Sequence, residues 1–136
     1  MSKLKAFLKG SALEAVKEVE FKVSDRFVNE DGEVEKFLLR ILGPNEITKV
    51  QDSGLIVKGK DVEFKSDVMQ LNLAVATTKE PDLMNKELQD SYGVTTPHDL
   101  LIKMLTGPEY LKLIQKAMKI NGLSESLDEK VDEVKN

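Results

Sequence analysis

Cysteine and tryptophan are absent from this sequence, and histidine occurs once in 136 residues. A chain without cysteine forms neither a disulfide framework nor a thiolate nucleophile, and this composition is typical of the reducing cytosol. A chain of this length buries roughly two-thirds of its unfolded surface, so it can fold without cross-links. The composition therefore predicts a cytosolic, soluble protein with one folded domain.

Long apolar runs and clustered positive charge are also missing. No stretch approaches the roughly 20 apolar residues that a membrane-spanning helix needs, and the apolar run at residues 6–8 is too short for a secretory signal. The net charge is −4, and Lys3, Lys5 and Lys9 have no aromatic stacking platform beside them. Because nucleic acid binding depends on clustered lysine and arginine, we expect neither nucleic acid nor a membrane as partner.

Catalytic side chains are scarce as well. The one histidine, His98, follows Pro97 at a predicted helix start, and a nucleophilic triad or a zinc site needs further groups that converge with it. We expect His98 to be an exposed first-turn residue. Glu80 and Asp82 are candidates for paired acid–base carboxylates, but they flank Pro81 in a predicted turn, where we expect them to be solvated.

A calcium-binding loop is suggested by VNEDGE at residues 28–33. Placing Gly32 at the sixth loop position puts Phe27 at the first ligand position and Leu38 at the last, where carboxylates are required. The glycines around Lys58 also lack the spacing of a phosphate-binding loop. We therefore expect no enzyme activity, no cofactor and no metal.

The N-terminal half has the pattern of two β-hairpins. Residues 18–27 alternate apolar and polar side chains, residues 29–33 have the composition of a tight turn, and residues 34–42 form the returning strand. Residues 55–64 contain two apolar triplets around Gly59, which is typical of a second small hairpin.

The segments between and after these hairpins predict helices. A short helix is expected from Pro44, with Gly54 as its left-handed C-terminal cap. Residues 66–79 are ambiguous, because apolar residues alternate at positions 69, 71, 73 and 75 as in a strand. Their length, and Ser66 or Asp67 as N-cap, favour a helix.

Three further helices are predicted in the C-terminal half. The first lies between Pro81 and Gly93, and the second begins at Thr96 as N-cap with Pro97 at its first position. The second and third have apolar faces at helical spacing, formed by Leu100, Leu101, Met104 and Leu105 and by Tyr110, Leu113, Ile114, Ala117 and Met118. The predicted fold class is α+β, with an N-terminal β-hairpin region followed by a predominantly helical C-terminal half.

We divide the chain into a mobile N-terminal arm (1–16), a single α+β domain (17–122) and a flexible acidic amphipathic tail (123–136). The tail contains five acidic and two basic side chains. Its apolar residues recur at a spacing that places them on one side of a helix, which would be marginal in water on its own. These residues are Leu123, Leu127, Val131 and Val134.

Three stretches carry a resemblance to a known family: VSDRFVNEDGEVEKFLLRIL, EPDLMNKELQDSYGV and HDLLIKMLTGPEYLKLIQKAMKINGL. In this order and spacing they resemble the XkdN-like tail assembly chaperones of long-tailed phages and PBSX-like phage elements, over residues 19–136. The most specific part is PDLMNKELQDSYGV followed by a helix pair with the pattern ML-x-G-x-EY-x-x-L, which here comprises Met104, Leu105, Gly107, Glu109, Tyr110 and Leu113.

The resemblance implies a phage protein with no catalytic residues that acts in the host cytoplasm during tail morphogenesis. Such proteins hold the long, aggregation-prone tape measure protein and help to recruit tail tube subunits; self-association is possible. They are not expected in the finished particle. The alternatives are a small structural tail component, such as a completion or connector protein that stays in the particle, and an acidic adaptor unrelated to tails.

Two sets of residues are candidates for partner binding. One is the tail stripe of Leu123, Leu127, Val131 and Val134, since a flexible segment can fold upon binding. The other is a groove in the helical half, formed by Leu100, Met104, Tyr110, Leu113 and Met118. For this second set, packing within the domain's own core is the competing interpretation.

Overall fold

The computed structural model describes residues 3–123. Its strands are β1 (Glu18–Phe21), β2 (Phe37–Arg40), β3 (Leu55–Lys58), β4 (Asp61–Phe64) and β5 (Thr78–Glu80), and its helices are α1 (Leu4–Phe7), α2 (Pro44–Asp52), α3 (Ser66–Thr77), α4 (Lys86–Ser91), α5 (Pro97–Met104) and α6 (Gly107–Ile120). Among the described residues, four of the five strands precede α3 and only helices follow β5, so the α+β class is confirmed.

Both predicted hairpins are present. Strands β1 and β2 pair in antiparallel fashion, with Glu18 opposite Arg40 and Phe21 opposite Phe37. Their connection turns at Gly32, whose φ of 81° is the left-handed conformation that glycine adopts without strain. Strands β3 and β4 form a separate two-stranded ribbon.

The ambiguous segment at residues 66–79 is mainly helical. Helix α3 occupies Ser66–Thr77, and Thr78–Glu80 then pairs with the free edge of β2 as strand β5, which the sequence analysis missed. The resulting sheet has the order β1-β2-β5. The N-cap of α3 is Lys65, one residue before the predicted candidates.

The core lies between this sheet and helices α3, α5 and α6. The predicted apolar face of α5 is confirmed, as is the central part of the α6 face. The buried residues of the core include Phe37 and Leu39 from β2, Ala74 from α3, Leu100, Leu101 and Met104 from α5, and Leu113 and Ile114 from α6. A second cluster joins α2, α3 and α6 through Leu42, Val50, Met69, Leu73 and Ala117.

The prediction that Gly54 caps α2 in a left-handed conformation was wrong. The C-cap is Ser53 in a right-handed conformation, and Gly54 does not have a positive φ. A Cβ atom at Gly54 would lie 2.6 Å from Cε2 of Phe64 and 2.9 Å from the carbonyl oxygen of Lys65. Glycine is required there because the Phe64 ring and the Lys65 backbone approach it closely.

The remaining differences concern element lengths. Helix α4 begins at Lys86, later than predicted, because the Asn85 side chain caps it by accepting from the Leu88 N–H. Within the predicted N-terminal arm, Leu4–Phe7 form the short helix α1. The division into arm, domain and tail stays a prediction, and residues 124–136 lie outside the described residues.

Candidate docking surfaces

The β3–β4 ribbon has an exposed apolar side. Leu55 lies opposite Phe64 and Val57 lies opposite Val62. Because alternate residues of a strand point to the same side, these four side chains share one side of the ribbon. Their exposed fractions are 48% for Leu55, 70% for Val57, 65% for Val62 and 52% for Phe64. We call these four residues the hairpin face.

The opposite side of the ribbon is mainly polar. Lys58 Nζ lies 3.7 Å from Oε2 of Glu63, and Asp61 is exposed beside them, whereas Ile56 is half-buried. The ribbon is attached to the domain at its base, where the Lys65 N–H donates to the Gly54 carbonyl at 2.7 Å. A two-stranded ribbon is at best marginally stable by itself, and a contiguous exposed apolar patch is typical of a binding surface.

A second surface is a cleft of about 380 Å³ between the sheet and the helices. Its apolar lining comes from both halves of the fold, and Glu35, Lys36 and Glu80 supply charge. The apolar lining consists of Phe27, Phe37, Pro81, Leu88, Tyr92 and Met104. Such a mixed lining suits an apolar side chain with polar flanks.

A third surface surrounds Phe21, at the end of β1. The Nζ atoms of Lys112 and Lys116 each lie 5.5 Å from the centre of the Phe21 ring, within cation–π distance. Together with Gln115 and Lys119, these residues line a shallow cleft of about 260 Å³. We call it the lysine cleft.

The predicted partner-binding residues of the helical half lie largely in the core. Leu100 and Leu113 are fully buried, and Met104 is buried where it lines the cleft between the sheet and the helices. Tyr110 and Met118 are half-buried against the core. Burial and the negative charge of Asp67 raise the pKa of Tyr110. A role for these residues in partner binding stays a prediction.

The predicted tail stripe is described only at its first residue. Leu123 is half-buried and packs against the second core cluster, and its N–H donates to the Met118 carbonyl at 2.8 Å. Leu127, Val131 and Val134 lie outside the described residues, so the docking role of the stripe stays a prediction.

His98 differs from its expected environment. It is half-buried rather than exposed, and its Nε2 lies 2.7 Å from Oδ1 of Asn72. The contact joins the start of α5 to the middle of α3, which is a structural role. Within residues 3–123, no group of three or more His, Asp or Glu side chains is arranged to hold a metal ion, and no helix is long and apolar enough to cross a bilayer.

A model of one protein family, the phage XkdN-like tail assembly chaperone proteins, matches residues 4–135 of this chain. The chain belongs to the XkdN-like tail assembly chaperone family. It is similar to the PBSX phage-like element protein XkdN of Bacillus subtilis, with 28% identity over 98% of this chain and 93% of XkdN. It is also similar to YqbN of the same organism, with 30% identity over 98% of this chain and 93% of YqbN.

The fold of this XkdN-like chaperone is also similar to the crystal structure of YqbN. The two superpose with a TM-score of 0.74 at 28% identity, over 90% of this chain and 98% of the other. The recognition of the family from its sequence phrases is thereby confirmed, and the general role is that of a phage tail assembly chaperone.

The hairpin face was not predicted as a binding surface, although the sequence contains a signal for it. Residues 55–58 and 61–64 were assigned to a hairpin, and its turn at Gly59 sets the register that pairs Leu55 with Phe64. That register alone places all four apolar side chains on one side. Their exposure was not predictable, because it depends on which other elements cover the ribbon.

Proposed function

We propose that this tail assembly chaperone binds the phage tape measure protein, keeps it soluble and helps to recruit tail tube subunits during tail morphogenesis in the host cytoplasm. The family supplies the general role. The exposed hairpin face is the observation that carries the finer proposal. It is an exposed apolar surface, which an amphipathic helix of a client can cover with its own apolar side.

The energetics of the hairpin face suit reversible binding. Covering an already half-exposed Val, Leu or Phe side chain contributes roughly 1 kcal/mol, and association entropy offsets part of the sum over four side chains. A chaperone that leaves before the particle is complete needs this intermediate strength, since a client held too tightly is not released to the growing tube.

Charge around the hairpin face limits unwanted association. The turn carries Lys58, Lys60 and Asp61, all exposed, at the end of the ribbon. Charged side chains on short exposed strands oppose edge-to-edge pairing between copies of a chain. The apolar side therefore remains accessible to a helical client while the ribbon resists aggregation.

The test is co-expression with the tape measure protein of the same phage element, followed by size-exclusion chromatography. The wild-type chain is expected to co-elute with a soluble client. The double variant Val57→Lys, Val62→Lys is expected to lose the complex and leave the client in the pellet.

The matched control is Ile102→Lys, Leu111→Lys, which changes two separate helical side chains that are 54% and 59% exposed. Thermal melting of each free variant establishes that it is folded. If the wild-type chain does not solubilise the client, the proposed function is wrong. If purified tails contain the chain, the structural-component alternative replaces it.

A further inference from the structure

The lysine cleft contains three positively charged side chains. Among residues 3–123, Lys112, Lys116 and Lys119 take part in no ion pair. Their spacing places them on one side of α6. The whole chain has a net charge of −4, so this is a local basic site on an acidic protein.

The site also has an apolar centre. Phe21 is half-buried, and its ring both packs against the core and lines the cleft. Like charges four residues apart on a helix repel each other weakly, as Lys112 and Lys116 do here. A ligand with acidic groups and an apolar side chain relieves the repulsion and covers the ring.

We propose that the lysine cleft is the docking site for the chain's own residues 124–136. This segment contains five acidic and two basic side chains, together with Leu127, Val131 and Val134. In the docked state its carboxylates lie beside the three lysines and one of its apolar side chains lies on Phe21.

The lengths involved permit this contact. Residue 124 directly follows Leu123, close to the end of α6 at Ile120, and Lys112 lies about 12 Å back from Ile120 along the helix at 1.5 Å per residue. Thirteen residues span up to about 43 Å when extended. Because the segment is tethered, its effective concentration at the cleft is in the millimolar range, and individually weak ion pairs suffice.

This docking concerns the isolated chain and does not require the proposed client. Its consequence is that residues 124–136 occupy the lysine cleft until a partner binds either the segment or the cleft. Failure of the tape measure experiment and failure of this proposal are therefore separate results.

The test uses the absence of cysteine from the chain. In the full-length variant Leu111→Cys, a nitroxide label is attached at an exposed position of α6, one helical turn from Gln115 and outside the lining of the cleft, and paramagnetic broadening is measured for the backbone amides of residues 128–136. Strong broadening is expected at low salt. It is expected to weaken at about 1 M NaCl, where the Debye length is only about 3 Å.

Two double variants with the same change in charge decide the result. Lys112→Glu, Lys116→Glu is expected to reduce the broadening by at least about threefold, since the charge complementarity is reversed. Lys60→Glu, Lys86→Glu, which alters exposed lysines outside the cleft, is expected to leave it unchanged. Adding Asp128→Lys, Glu129→Lys to the cleft variant is expected to restore it.

Equal broadening in the cleft variant and in the control variant would overturn the proposal. The broadening would then result only from the covalent connection of the segment to α6, without docking in the cleft. Broadening that disappears when labelled protein is diluted with excess unlabelled protein would also overturn it, since the segment would then bind a neighbouring copy of the chain.

Discussion

Arg26 and Glu109, 83 residues apart in sequence, form a two-bond contact between the β1–β2 connection and the first turn of α6. Arg26 Nε donates to Oε2 of Glu109 at 3.0 Å, and its Nη2 donates to Oε1 at 2.6 Å. The same Nη2 donates to the carbonyl of Met104 at 3.0 Å. One guanidinium therefore joins the end of α5, the start of α6 and the sheet region.

This contact predicts a contribution to acid stability. Hydrogen bonds from Arg26, then from Ser24 and the Thr106 backbone, hold the pKa of Glu109 well below its usual range. Since the folded pKa is the lower one, the stabilisation is present above the unfolded pKa of about 4.3 and is lost as pH falls toward the folded value. The Glu109→Gln variant should therefore lose less stability than wild type between pH 6 and pH 3.

Urea unfolding at several pH values measures this difference. Glu87→Gln, an exposed first-turn residue of α4, is the matched control and should follow the wild-type dependence on pH. A Glu109→Gln curve parallel to wild type would show that the contact makes no net contribution to acid stability.

The N-cap of α5 predicts a specific effect of a threonine substitution. Thr96 Oγ1 accepts from the Asp99 N–H at 3.0 Å, so Thr96→Ala should lower the free energy of unfolding by about 1 kcal/mol. The neighbouring Thr95 is exposed, and Thr95→Ala should change it by less than about 0.5 kcal/mol. Equal effects in urea unfolding would contradict the capping role.

Asn121 connects three elements at the end of α6. Its Oδ1 accepts from the Leu42 N–H at 2.9 Å, and its Nδ2 donates to Thr77 Oγ1 at 3.1 Å and to the Ala117 carbonyl at 2.8 Å. Asn121→Ala leaves these partners unsatisfied, and we expect a loss of about 1–3 kcal/mol in the free energy of unfolding.

The variant Asn121→Asp separates the bond that the side chain accepts from the two bonds that it donates. It keeps the acceptor for Leu42 and removes both donated bonds, so it should also destabilise the fold. A wild-type melting temperature for both variants would show that water replaces the side chain without cost.

The close approach at Gly54 predicts a combined effect on stability and binding. Gly54→Ala places a Cβ against Phe64 and the Lys65 backbone, which should cost about 1–3 kcal/mol and displace Phe64 from the hairpin face. Gly10→Ala meets no atom within 4 Å and serves as the control in thermal melting. Co-elution with the client should weaken for Gly54→Ala and not for Gly10→Ala. If Gly54→Ala melts at the wild-type temperature, the steric role of Gly54 is contradicted.

The parts of the fold that were predictable from sequence depend on local signals. Thr96 and Pro97 mark the start of α5 through their own chemistry, and the spacing of Leu113, Ile114 and Ala117 gives the buried side of α6. Strand β5 has no such signal. Thr78–Glu80 has no apolar alternation, and its pairing depends on the free edge of β2, which is distant in sequence.

The candidate surfaces were predictable only in part, for a related reason. The sequence predicts apolar residues on the β3–β4 ribbon. It does not predict that Val57 is exposed, because this requires that no other element among the described residues covers it. The lysine cleft forms where Phe21 of β1 lies beside α6. The sequence of either segment alone does not predict this contact. Leu100 and Leu113 have an apolar spacing that a core face and a binding groove share, and both are buried.

The strand order β1-β2-β5 has a consequence for synthesis on the ribosome. Strands β1 and β2 emerge early and can pair at once, but the second edge of β2 stays unprotected until Glu80 has been translated. The bond from Leu42 to Asn121 forms only when α6 has left the exit tunnel. Because domains fold during translation at about 5–20 residues per second, a nascent chain passes several seconds with an open sheet edge before it becomes a competent chaperone.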